Sequence, residues 1–497
     1  DMGTLTLPDT TNQVQLKNAA SGMVLGISGQ SQTAGANLVQ ESDTSATDSM
    51  WHFMPIVYAS DQVNIESMLT HQVMGISAGS ATAGAQAVQF SDTGSNDHIW
   101  QLSLLADGNY LIKNQGSGYY LQVDGSAATN SVTIDQGARA TTGSGCTCQE
   151  WTLVQSSTAA YPMPRVVTGN GIYVHDPNLL VDPATGIYWL YGTHQTIASS
   201  TDLTTFSSYE SCTTAEMGGY APKCPIIGPD FPSWSGTQTP LAWNSGANVD
   251  VWAPDVVASN GTYYLYYALP WEPDTLGGEA LIGFATSTSP TGPWTDEGFI
   301  LQSWSNSSAP PTGWGFAAAT GYNAIDPAPF TDASGNWWLS FGSWFDGIHL
   351  VQLDPGSGKP VANAEMPVIA YRLAGEEGSF IYPWTVNGTQ YYFYFASINA
   401  CCSGTSPYRI IVGRATSPTG PFVDRGGQDL AQQGGTILLS THSNIVGPGG
   451  QSVFTDTVNG TPTPTLVYHY YDRNNNGTPT LGINRIGFTS DGWPYVE

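Results

Sequence analysis

The sequence predicts an all-β protein in two parts, an N-terminal β-trefoil followed by a five-bladed β-propeller. Two repeats predict it. Residues 1–156 carry three copies of a short unit, each closing on a Trp segment: MWHF at Trp51, IWQL at Trp100 and EWTL at Trp151, about 49 residues apart. Residues 169–497 carry five copies of a longer, strand-rich unit with no amphipathic helical period. Repetition of this kind argues for a closed or radial array, because one unit cannot bury its apolar face alone.

In the first part, SGMVLGISG, HQVMGISAG and SGYYLQVDG lie upstream of the three Trp segments. Between them come GANLVQESD, GAQAVQFSD and NSVTIDQGA. Each unit supplies about four short strands, and three units closing on a shared Trp-rich centre make a trefoil. Residues 157–168 read as a linker, stiffened by Pro162 and Pro164.

The five longer units begin with GIYVHDPNLLV at Gly171, whose partner strand is GIYWLYGTH. They continue with WAPDVVASNGTYYLYYA at Trp252 and IDPAPFTDASGNWWLSFGS at Ile325. EGSFIYPWTVNGTQYYFYFAS at Glu377 and GQSVFTDTVNGTPTPTLVYHYYD at Gly450 complete the set. Each has an acidic or turn residue, an apolar strand, a Gly/Asn turn and an aromatic strand. A second repeated stretch, ATSTSPTGPWTDEG at Ala285 and ATSPTGPFVDRGG at Ala415, reads as the return of an outer strand. The count stops at five, which favours five blades over seven.

Composition narrows the function. With 39 acidic and 12 basic residues and a net charge of −27, the chain is unsuited to nucleic acid or an anionic membrane surface. No apolar run reaches the length of a membrane span. Five glycosylation sequons, at Asn260, Asn306, Asn387, Asn459 and Asn476, and six cysteines point to a secreted, extracellular glycoprotein. The start at Asp1 fits a processed form, and a monomer is expected. Cys212 and Cys224 read as a pair closing a short loop; Cys146/Cys148 and Cys401/Cys402 read as small disulfides or free thiols. None has zinc spacing with His.

Aligning the units puts Asp176, the Ala253–Asp255 turn, Asp326, Glu377 and Gly450 at the inner end of each first strand. In a propeller these converge at one mouth of the central channel. Carboxyls crowded there acquire divergent pKa values. Two of them facing each other across a sugar ring can hydrolyse a glycoside, one activating water and one protonating the leaving oxygen. Asp182 and Asp354, in VDPATG and LDPGSG, read instead as turn openers.

Residues 1–156 resemble the ricin-type lectin fold of carbohydrate-binding module family 13, most specifically in the Trp positions. Where that family carries a pocket Asp, this chain has Gly26, Gly75 and Gln122, leaving Asp43, Asp92 and Asp135 as polar contacts or turn residues.

Residues 169–497 resemble glycoside hydrolase family 43, in its arabinanase branch. VHDPNLLV, DVWAPDVV, NAIDPAPF, FGSWFDGIHL, EGSFIYP, a CC-containing stretch before IIVGRATSPTGPF, GGTILLS, GPGGQSVF and VYHYYD carry the resemblance in order. It implies inverting hydrolysis of arabinofuranosyl or xylosyl links, with Asp176 as general base, Glu377 as general acid and Asp326 tuning Glu377. Glu377 is preferred to Glu376 because it directly precedes GSFIY, where the family shows E-A-P-F-I-Y; Gly378 and Ser379 depart from that pattern. His175, Trp252, Trp271, Asn323, Ser343 and His469 fall in matching motifs and are expected to line the sugar pocket.

The family's G-P-G-H-N-S-V is here GPGGQSV, with Gly450 in the position of a His that helps hold an ion. No metal is therefore expected, Gln451, His442 or water filling the gap, and no cofactor is needed. The expected substrate is a plant cell-wall polysaccharide, α-1,5-arabinan, cut in endo or exo fashion. Phe206–Trp243, with the Cys212–Cys224 loop, is the segment that would wall off one side. Arabinofuranosidase or β-xylosidase action on arabinoxylan is the alternative, and a non-catalytic two-domain lectin the alternative of another class.

Overall fold

The computed structural model describes residues 5–124, 127–139, 145–209, 251–270, 278–304 and 321–497. Twelve short strands, from Asn12–Asn18 to Trp151–Ala159, form the N-terminal trefoil, and its first and last strands pair with each other. The Trp repeat explains the closure. Trp51, Trp100 and Trp151 are all fully buried in one core. Each indole N–H donates to a strand carbonyl of its own repeat: Leu25 at 3.0 Å, Met74 at 2.9 Å and Leu121 at 3.0 Å. A buried Trp needs such an acceptor, and the same solution recurs three times.

Five antiparallel sheets of four strands follow, each with its strands in chain order. Their first strands are Asn178–Val181, Trp252–Ser259, Ala328–Thr331, Glu376–Val386 and Ile445–Val458. Short hairpins suit the Asn-Gly pairs at 260, 387 and 459. Each Asn and each Gly there has positive φ, as at Asn459 (+49°) and Gly460 (+79°), which is what a tight hairpin turn requires. The three sequons thus coincide with the turn chemistry. The ring closes where Leu179 and Leu190 of the first blade pack against Phe454, Val467 and Leu481 of the last. Among the described residues, helical structure is confined to single 3₁₀ turns.

The trefoil docks on the propeller through buried ion pairs. Asp92, weighed above as a sugar contact, accepts from Arg372 at 3.1 Å and Arg409 at 2.8 Å, and all three are buried. Burial alone would raise its carboxyl, but the two guanidinium groups pull it down to about 2. Beside it Ser91 donates to Asp424 at 2.5 Å. The polar surface of the second trefoil repeat is therefore used between the domains. Disulfides Cys146–Cys148 and Cys401–Cys402 both form. The proposed Cys212–Cys224 pair, most of Phe206–Trp243, Asn306 and Trp271 lie outside the described residues.

Candidate active site

One residue from each blade turns into the left-handed region at the channel: Asp176 (φ +52°), Ala253 (+42°), Asp326 (+54°), Gly378 (+63°) and Gly450 (+57°). Such backbone is unfavourable for residues other than Gly, Asn or Asp, and it concentrates at functional sites. The five positions surround a narrow cavity on the propeller axis. Above it opens a wider cavity of about 590 Å³. The alignment expected from the sequence holds for four blades and shifts by one in the fourth. There Gly378, not Glu377, is the counterpart of Asp176 and Asp326. A bulge between Glu377 and Phe380 in the pairing of Glu376–Val386 accompanies the shift. Glu377 consequently borders only the wide cavity, whereas Asp176 and Asp326 border both.

Asp176 is held by three side chains. Its Oδ2 receives the Thr193 hydroxyl at 2.6 Å and faces His175 Nδ1 at 3.0 Å. Its backbone N–H donates to His469 Nδ1 at 3.0 Å. Thr193 Oγ1 in turn accepts Ala253 N–H at 2.9 Å, which ties the first blade to the second. Burial would raise this carboxyl, but His175, His469 and Thr193 together hold it well below the usual carboxylate range. Asp176 is thus an ionised acceptor.

Glu377 has the opposite character. Its Oε1 accepts from the Tyr408 hydroxyl, and its Oε2 from Ser343 at 2.8 Å. Burial and the nearby Asp176 charge outweigh these bonds and raise its pKa. Asp326 Oδ2 accepts Gly378 N–H at 2.9 Å, yet burial and the negative charges of Glu377 and Asp176 push its carboxyl well up. Asp255, at the narrow cavity, is also raised by burial. Strand alternation sends Glu376 elsewhere: it is buried, accepts from Tyr394 at 2.5 Å, is lifted to about 7 by burial, and does not line the cavity.

Among the expected sugar contacts, His175 and Trp252 line the wide cavity. Asn323, Ser343 and His469 are not among the residues lining it. Asn323 is buried behind it, Ser343 serves the Glu377 carboxylate, and His469 is fully buried under Asp176. Burial lowers the His469 pKa strongly, so its Nδ1 is free to accept.

Gly450 has a steric reason. A Cβ there would fall 2.5 Å from both Asp176 Oδ1 and His469 Nδ1. Gln451 fills the neighbouring space, with Nε2 donating to Gly378 O at 2.7 Å and Oε1 accepting from Ser397 at 2.8 Å. His442 does not take part; its ring bonds Ser440 O and Pro162 O near the linker. His175, Asp176 and His469 place ligand atoms within 4.8 Å of one another. His469 Nδ1 already accepts the Asp176 amide and His175 Nε2 faces the Tyr471 hydroxyl, however, and position 450 has no side chain to add a ligand, so this donor set does not fit a resident cation.

Several functional neighbours escaped the sequence reading: Thr193, Tyr408, Tyr471 and Ser397. Tyr471 and Ser397 belong to blades other than those of the His175 and Gly450 they serve, and no local pattern marks them or Tyr408, which reaches Glu377 across its own blade. Thr193 alone had a signal, standing at a strand end directly before His194.

Known proteins place this site in context. The sequence pattern of Glycosyl hydrolases family 43 matches residues 213–494. That of the ricin-type beta-trefoil lectin domain-like family matches residues 4–90, 50–137 and 96–175. Extracellular endo-alpha-(1->5)-L-arabinanase 1 of Bacillus subtilis (strain 168) is 40% identical over 268 residues, 52% of this chain and 73% of that protein. Arabinan endo-1,5-alpha-L-arabinosidase A of Aspergillus niger is 34% identical over 364 residues, 69% and 97% respectively. Among solved structures, the GH43 endo-arabinanase from Bacillus licheniformis superposes with a TM-score of 0.52 at 30% identity, covering 66% of this chain and 99% of that one. An exo-1,5-alpha-L-arabinanase from a bovine ruminal metagenomic library gives 0.51 at 30%, covering 65% and 96%. The pattern match spans more than half of the chain, and the Aspergillus niger relative is matched over 97% of its length: the protein belongs to glycosyl hydrolase family 43, with a ricin-type β-trefoil domain ahead of the family's propeller.

Proposed function

We propose that the chain is a secreted, inverting α-L-arabinofuranosyl hydrolase acting on α-1,5-linked arabinan of plant cell walls. The observation that carries this is the contrast between two carboxyls at one cavity. Asp176 is held ionised by His175, His469 and Thr193, while burial keeps Glu377 in favour of its proton. Asp176 takes a proton from a water molecule as that water's oxygen attacks the anomeric carbon. The glycosidic bond breaks on the opposite face, and Glu377 gives its proton to the departing oxygen. Solvent then returns both groups to their starting states. Asp326 accepts the Gly378 amide and so orients the backbone next to Glu377. His175 and Trp252 form part of the wall against which the sugar rests.

Arabinan as substrate is supported by relatives named as arabinanases, and secretion by the extracellular Bacillus subtilis relative. Endo action is the reading the curated relatives favour. The trefoil of residues 1–156 and linker of residues 157–168 carry the catalytic domain of residues 169–497 to the polysaccharide as a monomer.

Hydrolysis of debranched linear arabinan, arabinoxylan and aryl glycosides tests this. The expected result is turnover of arabinan above the others, with short oligomers appearing first, and loss of several orders of magnitude in Asp176→Ala and Glu377→Ala on arabinan. Wild-type rates in both variants, or no turnover of arabinan, would refute it.

A further inference from the structure

The wide cavity has a wall that the reaction as described does not use: the joined side chains of Cys401 and Cys402. Linking neighbouring cysteines closes a small ring through their shared peptide bond. Cys402 also has φ +80°, a region that disfavours side-chain-bearing residues by about 1–2 kcal/mol. The ring therefore restrains a conformation the free chain would leave. One consequence is the aim of the Cys402 N–H, which donates to the Tyr471 hydroxyl at 2.7 Å.

That hydroxyl oxygen has three neighbours and only one proton to give. Its other two are His175 Nε2 at 2.9 Å and His469 Nε2 at 3.3 Å. His469 Nδ1 already accepts the Asp176 amide, so the neutral ring carries its proton on Nε2 and donates to Tyr471. Cys402 and His469 then fill both lone pairs of the oxygen. The Tyr471 proton has one direction left, toward His175 Nε2. In its neutral form His175 then holds its own proton on Nδ1, pointing at Asp176 Oδ2 3.0 Å away; against the effect of burial, the Asp176 charge raises the His175 pKa, and the imidazolium keeps the same Nδ1–H bond. The two imidazoles stack with centroids 3.8 Å apart, which keeps both rings in plane for these bonds.

We infer that the Cys401–Cys402 disulfide is a positioning element: through the Cys402 amide and Tyr471 it fixes the tautomer and orientation of His175, and so the aim of the Asp176 carboxylate. The inference rests on reading Asp176 as the general base. It predicts that opening the sulfur ring lowers kcat by more than it changes KM, since the displaced groups bear on Asp176 through His175, which also forms part of the cavity wall.

The test compares wild-type protein, Cys401→Ala/Cys402→Ala and Tyr471→Phe on linear arabinan, with thermal melting as the folding control. Misaiming a reacting group by a fraction of an ångström to an ångström lowers turnover by about 10- to 100-fold. The expected result is a kcat lower by about tenfold or more in both variants, with KM changed by less than about threefold. Dithiothreitol should reproduce the loss in the wild-type protein and reoxidation should restore it, while the double alanine variant should not respond. Combining Tyr471→Phe with the double substitution should add little, because both break one chain of contacts. Wild-type kcat in the double variant, a change in KM alone, or equal loss on reduction of wild type and double variant would overturn the inference. Failure of the base assignment looks different: Asp176→Ala itself would then keep wild-type turnover.

Discussion

Gly450 and Asp176 share one volume at the mouth of the channel. A methyl group at 450 would stand 2.5 Å from the Asp176 carboxylate, closer than carbon and oxygen tolerate, and the backbone there has φ +57°. Gly450→Ala is therefore expected to displace Asp176 or tilt His469, lowering kcat by about 10- to 100-fold with a folded protein. Steady-state kinetics beside a melting curve check this. Unchanged kcat would mean that the carboxylate has freedom the packing denies it.

The alkaline side of the pH profile reports Glu377. A general acid works while protonated, so activity falls as pH rises through its folded-state pKa, which burial has raised. Tyr408 donates to the carboxylate and favours the ionised form. Tyr408→Phe removes that preference, and the pKa rises further. The alkaline limb of kcat/KM should move to higher pH. Ser343→Ala, which removes the other donor, should move it the same way. A shift toward lower pH in either variant would contradict the assignment.

Asp92 predicts stability rather than catalysis. Its folded pKa of about 2 lies below the unfolded value of about 3.9. The stabilisation is present above pH ~4 and is lost as pH falls through the folded value. Asp92→Ala leaves Arg372 and Arg409 buried without their partner, which costs about 3–5 kcal/mol. Denaturant unfolding of the full chain at neutral pH should show this loss, with the difference from wild type shrinking toward pH 2.

Metal removal is expected to matter little. Position 450 offers no ligand and the lone pairs of His175 and His469 are engaged within the site. Chelation with EDTA followed by desalting should leave kcat within about twofold, in contrast to sites where metal binding and folding are linked. Loss of activity restored by calcium would overturn this reading.

Much of the architecture was legible because its causes repeat. Three Trp segments announce three equivalent burial sites, and Asn-Gly pairs announce tight hairpins. The carboxyls were legible because Asp176 and Asp326 stand before apolar strands rather than in Gly-rich turns. The one-residue offset at Glu377 was not, because the left-handed residue equivalent to Asp176 and Asp326 is there Gly378, and an alignment anchored on the carboxyl passes over it. Tyr471 was hidden for another reason, since the closure of the ring brings His175 to it, and Tyr408 because it reaches Glu377 from a loop 31 residues on in the same blade. The sequence offers Asp92 only as a polar contact or a turn residue, because its partners lie in another domain, 280 residues away for Arg372.

The central claim is that water, activated by Asp176, attacks the anomeric carbon from the face opposite the departing oxygen protonated by Glu377. Such a pair leaves roughly 6.5–9.5 Å between carboxyls and inverts the configuration in one step. Proton NMR of the first sugar released from an α-L-arabinofuranosyl substrate, recorded before mutarotation, tests it most directly. The account predicts that the β anomer appears first; initial formation of the α anomer would contradict it.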